Sequence, residues 1–122
     1  MTENNISLFI LELIKKTMQG KIEWQMIEPG GVSNKIYDDN IIGFIYRTEI
    51  MDKHFWLYKY KAKYYRDEYD WDWVEKIKLE LIDSNGNSLY EFKYEYSLFD
   101  LYNAIREKTS GISSILDDLL KI

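Results

Sequence analysis

Apolar residues near the start of the chain recur at helical intervals. Ile6, Phe9, Ile10, Leu13 and Thr17 share one face of a helix, with Ile14 and Met18 beside them. Asn4 or Asn5 can cap its start, Lys15 and Lys16 suit its negative end, and Gly20 is a fitting terminator. Leu8 and Leu11 lie off this stripe. A helix with so wide an apolar surface is expected to be deeply buried or to meet a second subunit, so a homodimer through this helix is one expectation.

The period then changes to two. In "KIEWQMI", Ile22, Trp24 and Met26 point to one side. "EPGGVSNK" reads as a loop and "YDDN" as a second turn. Ile42, Phe44, Tyr46, Thr48 and Ile50 form the next alternating set, and His54, Trp56, Tyr58, Tyr60, Ala62 and Tyr64 the one after. A three-residue turn at "MDK" sets Ile50 opposite His54, Thr48 opposite Trp56 and Tyr46 opposite Tyr58, so the two apolar sides coincide. A two-residue turn would set those sides on opposite faces, and the longer turn is preferred. Trp73, Glu75, Ile77, Leu79 and Leu81 make a fourth strand. "SNGN" predicts a type I′ hairpin at Asn85-Gly86 that pairs Leu81 with Tyr90, Leu79 with Phe92 and Ile77 with Tyr94.

Two helices close the pattern. Ser97 and Asp100 resemble a capping box, Leu98, Leu101, Tyr102 and Ile105 form an inner stripe, and Gly111 can end the helix. "ISSILDDLLKI" is a short last helix carrying Ile115, Leu116, Leu119 and Leu120. The expected fold is α+β: an antiparallel meander of about five strands, with the N-terminal helix and two C-terminal helices packed on one face. With 122 residues, 1–122 reads as a single domain.

Strand parity divides the sheet. Trp24, Phe44, Tyr46, Trp56, Tyr58, Ile77, Leu79, Leu81 and Phe92 are expected beneath the helices. The outer face then collects Lys59, Lys61, Lys63, Lys76, Lys78 and Lys93, together with Ile41, Ile45, Phe55, Leu57 and Tyr65. Composition sharpens this. The net charge is −5, yet the acids concentrate in loops and helices, so the predicted molecule is electrostatically lopsided. Such a face can solubilise an open sheet or dock a partner, and an acidic protein surface is the partner expected. The acidic balance and the lack of an RRM-like signature argue against nucleic acid.

Candidate chemistry is sparse. With no cysteine and one histidine, His54, the usual zinc sites and thiolate nucleophiles drop out. No Gly-x-Ser-x-Gly elbow or phosphate loop is present. "YYRDEYDWDW", residues 64–73, packs four acids and five aromatics into ten residues. Asp67, Glu68, Asp70 and Asp72 could hold a divalent cation through oxygen, but the glycine and terminal glutamate of an EF-hand loop are missing. The stretch reads instead as a loop whose two tryptophans lead into the core. Neither a cofactor nor a metal is expected, and no enzymatic constellation emerges. "ISLFILELI" is only nine residues long and carries Glu12, so no membrane span or export signal is expected, and a cytoplasmic location suits the absence of cysteine.

"KTMQGKIEW", "IKLELIDSNGNSLYEF" and "LYNAIREKTSGISSILDDLL" together resemble a loose group of small, mostly uncharacterised bacterial proteins. These have an N-terminal helix, a β-meander and C-terminal helices, and some look like passengers of phage or mobile elements. The resemblance implies a fold and no activity. The expected function is a non-enzymatic protein-interaction module, an accessory factor of a mobile element or phage, working through the basic face. The alternative is a small-ligand or nucleotide-binding protein with a pocket between helices and sheet, lined by Trp24, Trp56 and Tyr58.

Overall fold

A computed structural model describes residues 3–28 and 40–122. The predicted loop at 29–35 and the turn at 37–39 lie outside the described residues. The elements run α1 (Glu3–Met18), β1 (Gln25–Ile27), β2 (Ile41–Ile50), β3 (Lys53–Tyr65), β4 (Trp71–Ile82), β5 (Ser88–Glu91), α2 (Ser97–Ser110) and α3 (Ile112–Leu120). The strands form one antiparallel sheet in the order β1-β2-β3-β4-β5. This is the expected α+β meander with helices at both ends of the chain.

Helix α1 buries the stripe read from its spacing: Ile6, Ile10, Leu13 and Thr17. Its end is a Schellman motif. Lys21 N–H donates to Lys16 O (2.8 Å) and Gly20 N–H to Thr17 O (3.1 Å), while Gly20 takes a φ of 73° that a residue with a Cβ adopts at a cost. Leu98, Leu101, Tyr102 and Ile105 of α2 are buried as expected, and Ala104 joins them. The proposed capping box is absent. The cap position is Tyr96, and the Ser97 hydroxyl instead donates to Glu95. These two helices pack on each other and on one face of the sheet, enclosing Tyr46, Phe55, Leu57, Ile77, Leu79 and Phe92. Helix α3 does not join that layer: none of its residues is buried.

The β2–β3 connection differs from expectation, and much follows from it. The turn has two residues, not three: Ile50 pairs with Lys53, and Met51 and Asp52 both take positive φ (54° and 65°). That is the conformation of a type I′ turn, which normally selects Asn-Gly. Met-Asp carries no such signal. Thr48 therefore faces Phe55 and Tyr46 faces Leu57. Phe55 and Leu57 lie under the helices, while Trp56 and Tyr58 turn to the other side. There they form a second buried cluster with Ile45 and Ile82. The stretch Phe55-Trp56-Leu57-Tyr58 is buried on both faces, so its apolar character could not report which parity belonged to the helices.

Strand β2 is bulged as well. Ile42 pairs with Lys59 but Tyr46 with Leu57, so four residues of β2 span two of β3. Gly43 sits in this bulge with φ 74°, and a Cβ there would lie 3.6 Å from the Tyr102 hydroxyl. Phe44, expected in the core, is 40% exposed because the bulge carries it out of the alternation. Met26 is likewise exposed, whereas Trp24 is buried and donates its indole N–H to the Thr17 hydroxyl (3.0 Å).

The β4–β5 pairing agrees with the sequence expectation where the strands run together, with Leu81 facing Tyr90 and Glu80 facing Glu91, but β5 ends at Glu91 and the expected Ile77–Tyr94 pair is not part of the ladder. The turn itself is longer than a type I′. Gly86 N–H bonds Asp83 O (3.1 Å), Gly86 alone carries positive φ there, and the Asp83 carboxylate accepts from the N–H groups of Asn85 and Asn87. A register shift between Leu81 and Ile82 absorbs the difference.

Candidate functional site: the projecting β3–β4 ribbon

The new register divides the lysines. Strands β3 and β4 pair through Leu57–Leu79, Lys59–Ile77, Lys61–Glu75 and Lys63–Trp73, so Lys59, Lys61 and Lys63 share the helix side. The Lys59 ammonium lies 5.0 Å from the ring centre of Tyr102, a residue of α2, and 3.6 Å from Glu75. Lys76 and Lys78 face the opposite side, opposite Tyr60 and Tyr58. Lys93 is exposed beyond the last pair of the β4–β5 ladder. The single basic face predicted from parity is therefore corrected: its lysines lie on two faces. Its expected apolar contacts, Phe55 and Leu57, are 8% and 0% exposed and are core. Of the expected contact residues only Tyr65 is open.

Each of these five strand lysines nonetheless rests on an aromatic ring. On the helix side Lys61 lies over Trp73 (5.1 Å), and Lys63 over Trp71 (4.5 Å) and Trp73 (5.7 Å). On the far side Lys78 lies over Tyr60 (4.9 Å) and Lys76 over Tyr94 (5.5 Å). Quadrupole attraction holds the ammonium against the ring face. Lys78 also approaches Glu91 (3.7 Å).

The ladder from β2 reaches β3 only as far as Tyr60, and the β5 ladder meets β4 only at Glu80–Ile82. Residues 61–65 and 71–75 thus form a two-stranded ribbon with no third strand among the described residues. Its helix-side face carries Lys61, Lys63, Tyr65, Trp71 and Trp73, with Glu75, the ion-pair partner of Lys59, at its base. The two tryptophans pack edge to face at 5.3 Å. They were expected to lead into the core, but they are 38% and 48% exposed because helices cover only the base of the hairpin. Their alternation with lysine across the ladder is the signal that parity alone overlooked.

At the tip, Arg66 donates to both oxygens of Asp70 (2.7 and 2.9 Å) and to Asp72 (2.7 Å), and Tyr69 N–H donates to Asp67. The guanidinium holds the Asp70 carboxyl below its ordinary range. Two of the four acids in this stretch are thereby engaged by one arginine. Among the described residues no three His, Asp or Glu side chains group as metal ligands.

Trp24, Trp56 and Tyr58 do not line one pocket, since Trp24 belongs to the helix-side core and the others to the opposite face. A cleft of about 580 Å³ does open near Trp24, between the segment 20–25 and residues 47–50 with His54. Arg47 donates to Gln25 there (2.9 Å), and Thr48 to Glu23 O (2.7 Å). On the far face the Tyr58 hydroxyl donates to the buried Glu80 carboxylate (2.5 Å). Burial first, and then Glu80, raise the Tyr58 phenol above its ordinary range, so it remains a donor.

No family model matches this chain, and the comparisons with curated proteins and with solved structures found no match. Among the described residues no helix is long and apolar enough to cross a membrane.

Proposed function

We propose that this protein is a non-enzymatic interaction module whose docking element is the projecting β3–β4 ribbon, and that the ribbon takes an acidic segment of a partner protein. One observation carries the reading. Lys61 and Lys63 are held over exposed tryptophans, and among the described residues neither has an ion-pair partner. A partner carboxylate would complete each ammonium, while Trp71, Trp73 and Tyr65 supply rigid contact area of the type enriched in binding hot spots. The reading is narrower than a whole basic face: two cations and three rings replace six lysines. The sequence carries no RRM-like signature, which disfavours a nucleic-acid partner. A cytoplasmic setting is proposed with it. The resemblance to passengers of mobile elements is a reason to seek the partner among such an element's own products.

The test titrates acidic peptides, and in parallel a single-stranded oligonucleotide, while following tryptophan fluorescence. Salt-sensitive peptide binding that falls about tenfold or more in a Lys61→Glu, Lys63→Glu double variant supports the reading. Equal binding by the variant removes the ribbon from the interface. Preference for the oligonucleotide replaces the protein partner with nucleic acid.

The cleft beside Trp24 favours a second reading, a small-ligand or nucleotide site, because Lys21, Arg47 and His54 line it together with Glu23 and Glu49, a set of convergent polar groups beside an aromatic wall. Thermal shift with ATP and GTP tests this reading. No stabilisation by either nucleotide, or equal stabilisation of an Arg47→Ala variant, would count against it.

A further inference from the structure

The C-terminal helix presents an unpartnered apolar stripe. Ile112, Ile115, Leu116 and Leu119 follow helical spacing along one side of α3, and each is 39% exposed or more. Its other side carries Ser113, Ser114, Asp117 and Asp118, and Lys121 caps its C-terminal end. Helix α1 has a second stripe opposite its buried one: Leu8, Leu11 and Met18 are exposed, with Lys15 between them. Neither stripe covers the other within the chain, since both are open.

We propose that these two stripes are the halves of a symmetric dimer interface, α3 of one copy lying on the outer face of α1 in the other. Three observations favour a second copy over a foreign partner or a membrane. First, a two-fold arrangement uses each stripe twice and leaves neither exposed, as an isologous interface requires. Second, the area suffices. A Leu, Ile or Met side chain removes roughly 60–120 Å² from water, taking 1.5–3 kcal/mol at 25 cal/mol per Å². The seven side chains of the two stripes then approach the ~800 Å² per partner of a standard interface. Third, the charges match. Asp117 and Asp118 of α3 have no ion-pair partner among the described residues, and Lys15 stands in the middle of the α1 stripe with Lys16 beside it; within the chain these two lysines share one exposed carboxylate, Glu12, at 3.7 and 3.6 Å, which leaves one of the two positive charges uncompensated. The same two acids make α3 a poor fit to an anionic lipid surface.

The test is sedimentation of the full chain over a wide concentration range. A species of twice 14.8 kDa is expected, and Leu11→Glu or Leu119→Glu should each return it to monomer with unchanged circular dichroism. Persistent monomer in the wild type overturns the proposal. Because the chain has no cysteine, a second experiment covers the case where a charged variant misfolds. Leu11→Cys and Leu116→Cys chains are mixed and oxidised. Crossed disulfide between the two variants is expected. Leu116→Cys linking mainly to itself would mean that α3 pairs with α3, and the proposed geometry would fall.

Discussion

The base and the far end of the β3–β4 hairpin use the same two strands and both carry aromatic residues, yet they have opposite surroundings. At the base Leu57 faces Leu79 beneath α1 and α2, and both are fully buried. At the end Lys63 faces Trp73 and Tyr65 faces Trp71, all exposed. The difference lies in what covers the strands. Where helices and neighbouring strands supply partners, aromatic and aliphatic residues become core. Where they do not, the aromatics hold lysines and become surface. The contrast teaches that the aromatic residues of one strand can be core at one end and surface at the other, according to what covers them.

The contrast can be broken most directly at the base. Leu57→Ala should lower unfolding stability by about 2–5 kcal/mol in chemical denaturation, as large-to-small core changes do. A loss below 1 kcal/mol would show that the helix layer does not enclose the base.

Tyr58→Phe comes next. It leaves the buried Glu80 carboxylate without its hydroxyl donor and should cost about 1–3 kcal/mol. The same residue gives a pH signature. Its folded pKa is raised, so its contribution is complete below the unfolded value near pH ~10 and declines as pH rises beyond it. Melting curves of the wild type should therefore fall above about pH 10, and those of Tyr58→Phe should fall less.

Trp73→Ala, at the exposed end, should change stability by no more than about 1 kcal/mol, the scale of an exposed cation–π contact. It should nevertheless weaken peptide binding. A stability loss as large as that of Leu57→Ala would make the ribbon an extension of the core.

The smallest effect belongs to the tip. Arg66→Ala should leave the melting temperature unchanged while raising amide exchange at Asp67 and Asp70, whose backbone turn it supports. Because the folded Asp70 pKa is depressed, the wild-type tip contact is present above about pH 4 and is lost as pH falls below that. Chemical-shift titration of Asp70 reads this directly, and a midpoint that does not move on Arg66→Ala would mean that the arginine is not its cause.

The lysines illustrate why the candidate site was only half legible beforehand. Their alternation along β3 and β4 was plain in the sequence. Their division between two faces is made by the β3–β4 register, and the side of β3 that meets the helices follows the turn at Met51-Asp52, whose sequence does not advertise its conformation. A slip of one residue exchanges the two sides of a strand. With four consecutive apolar residues in β3, either side could have been core.

What the chain's own pattern determined is the set of elements and the buried stripe of most of them: Ile6 to Thr17 in α1, Leu98 to Ile105 in α2, Ile77 and Leu79 in β4. Periodicity records this because each element must bury its own apolar side. The tertiary structure alone decided which face of β3 meets the helices, that Gly43 opens a bulge, that Trp71 and Trp73 stay outside and that α3 stands uncovered. These depend on register and on covering elements distant in sequence, and no local period carries that information.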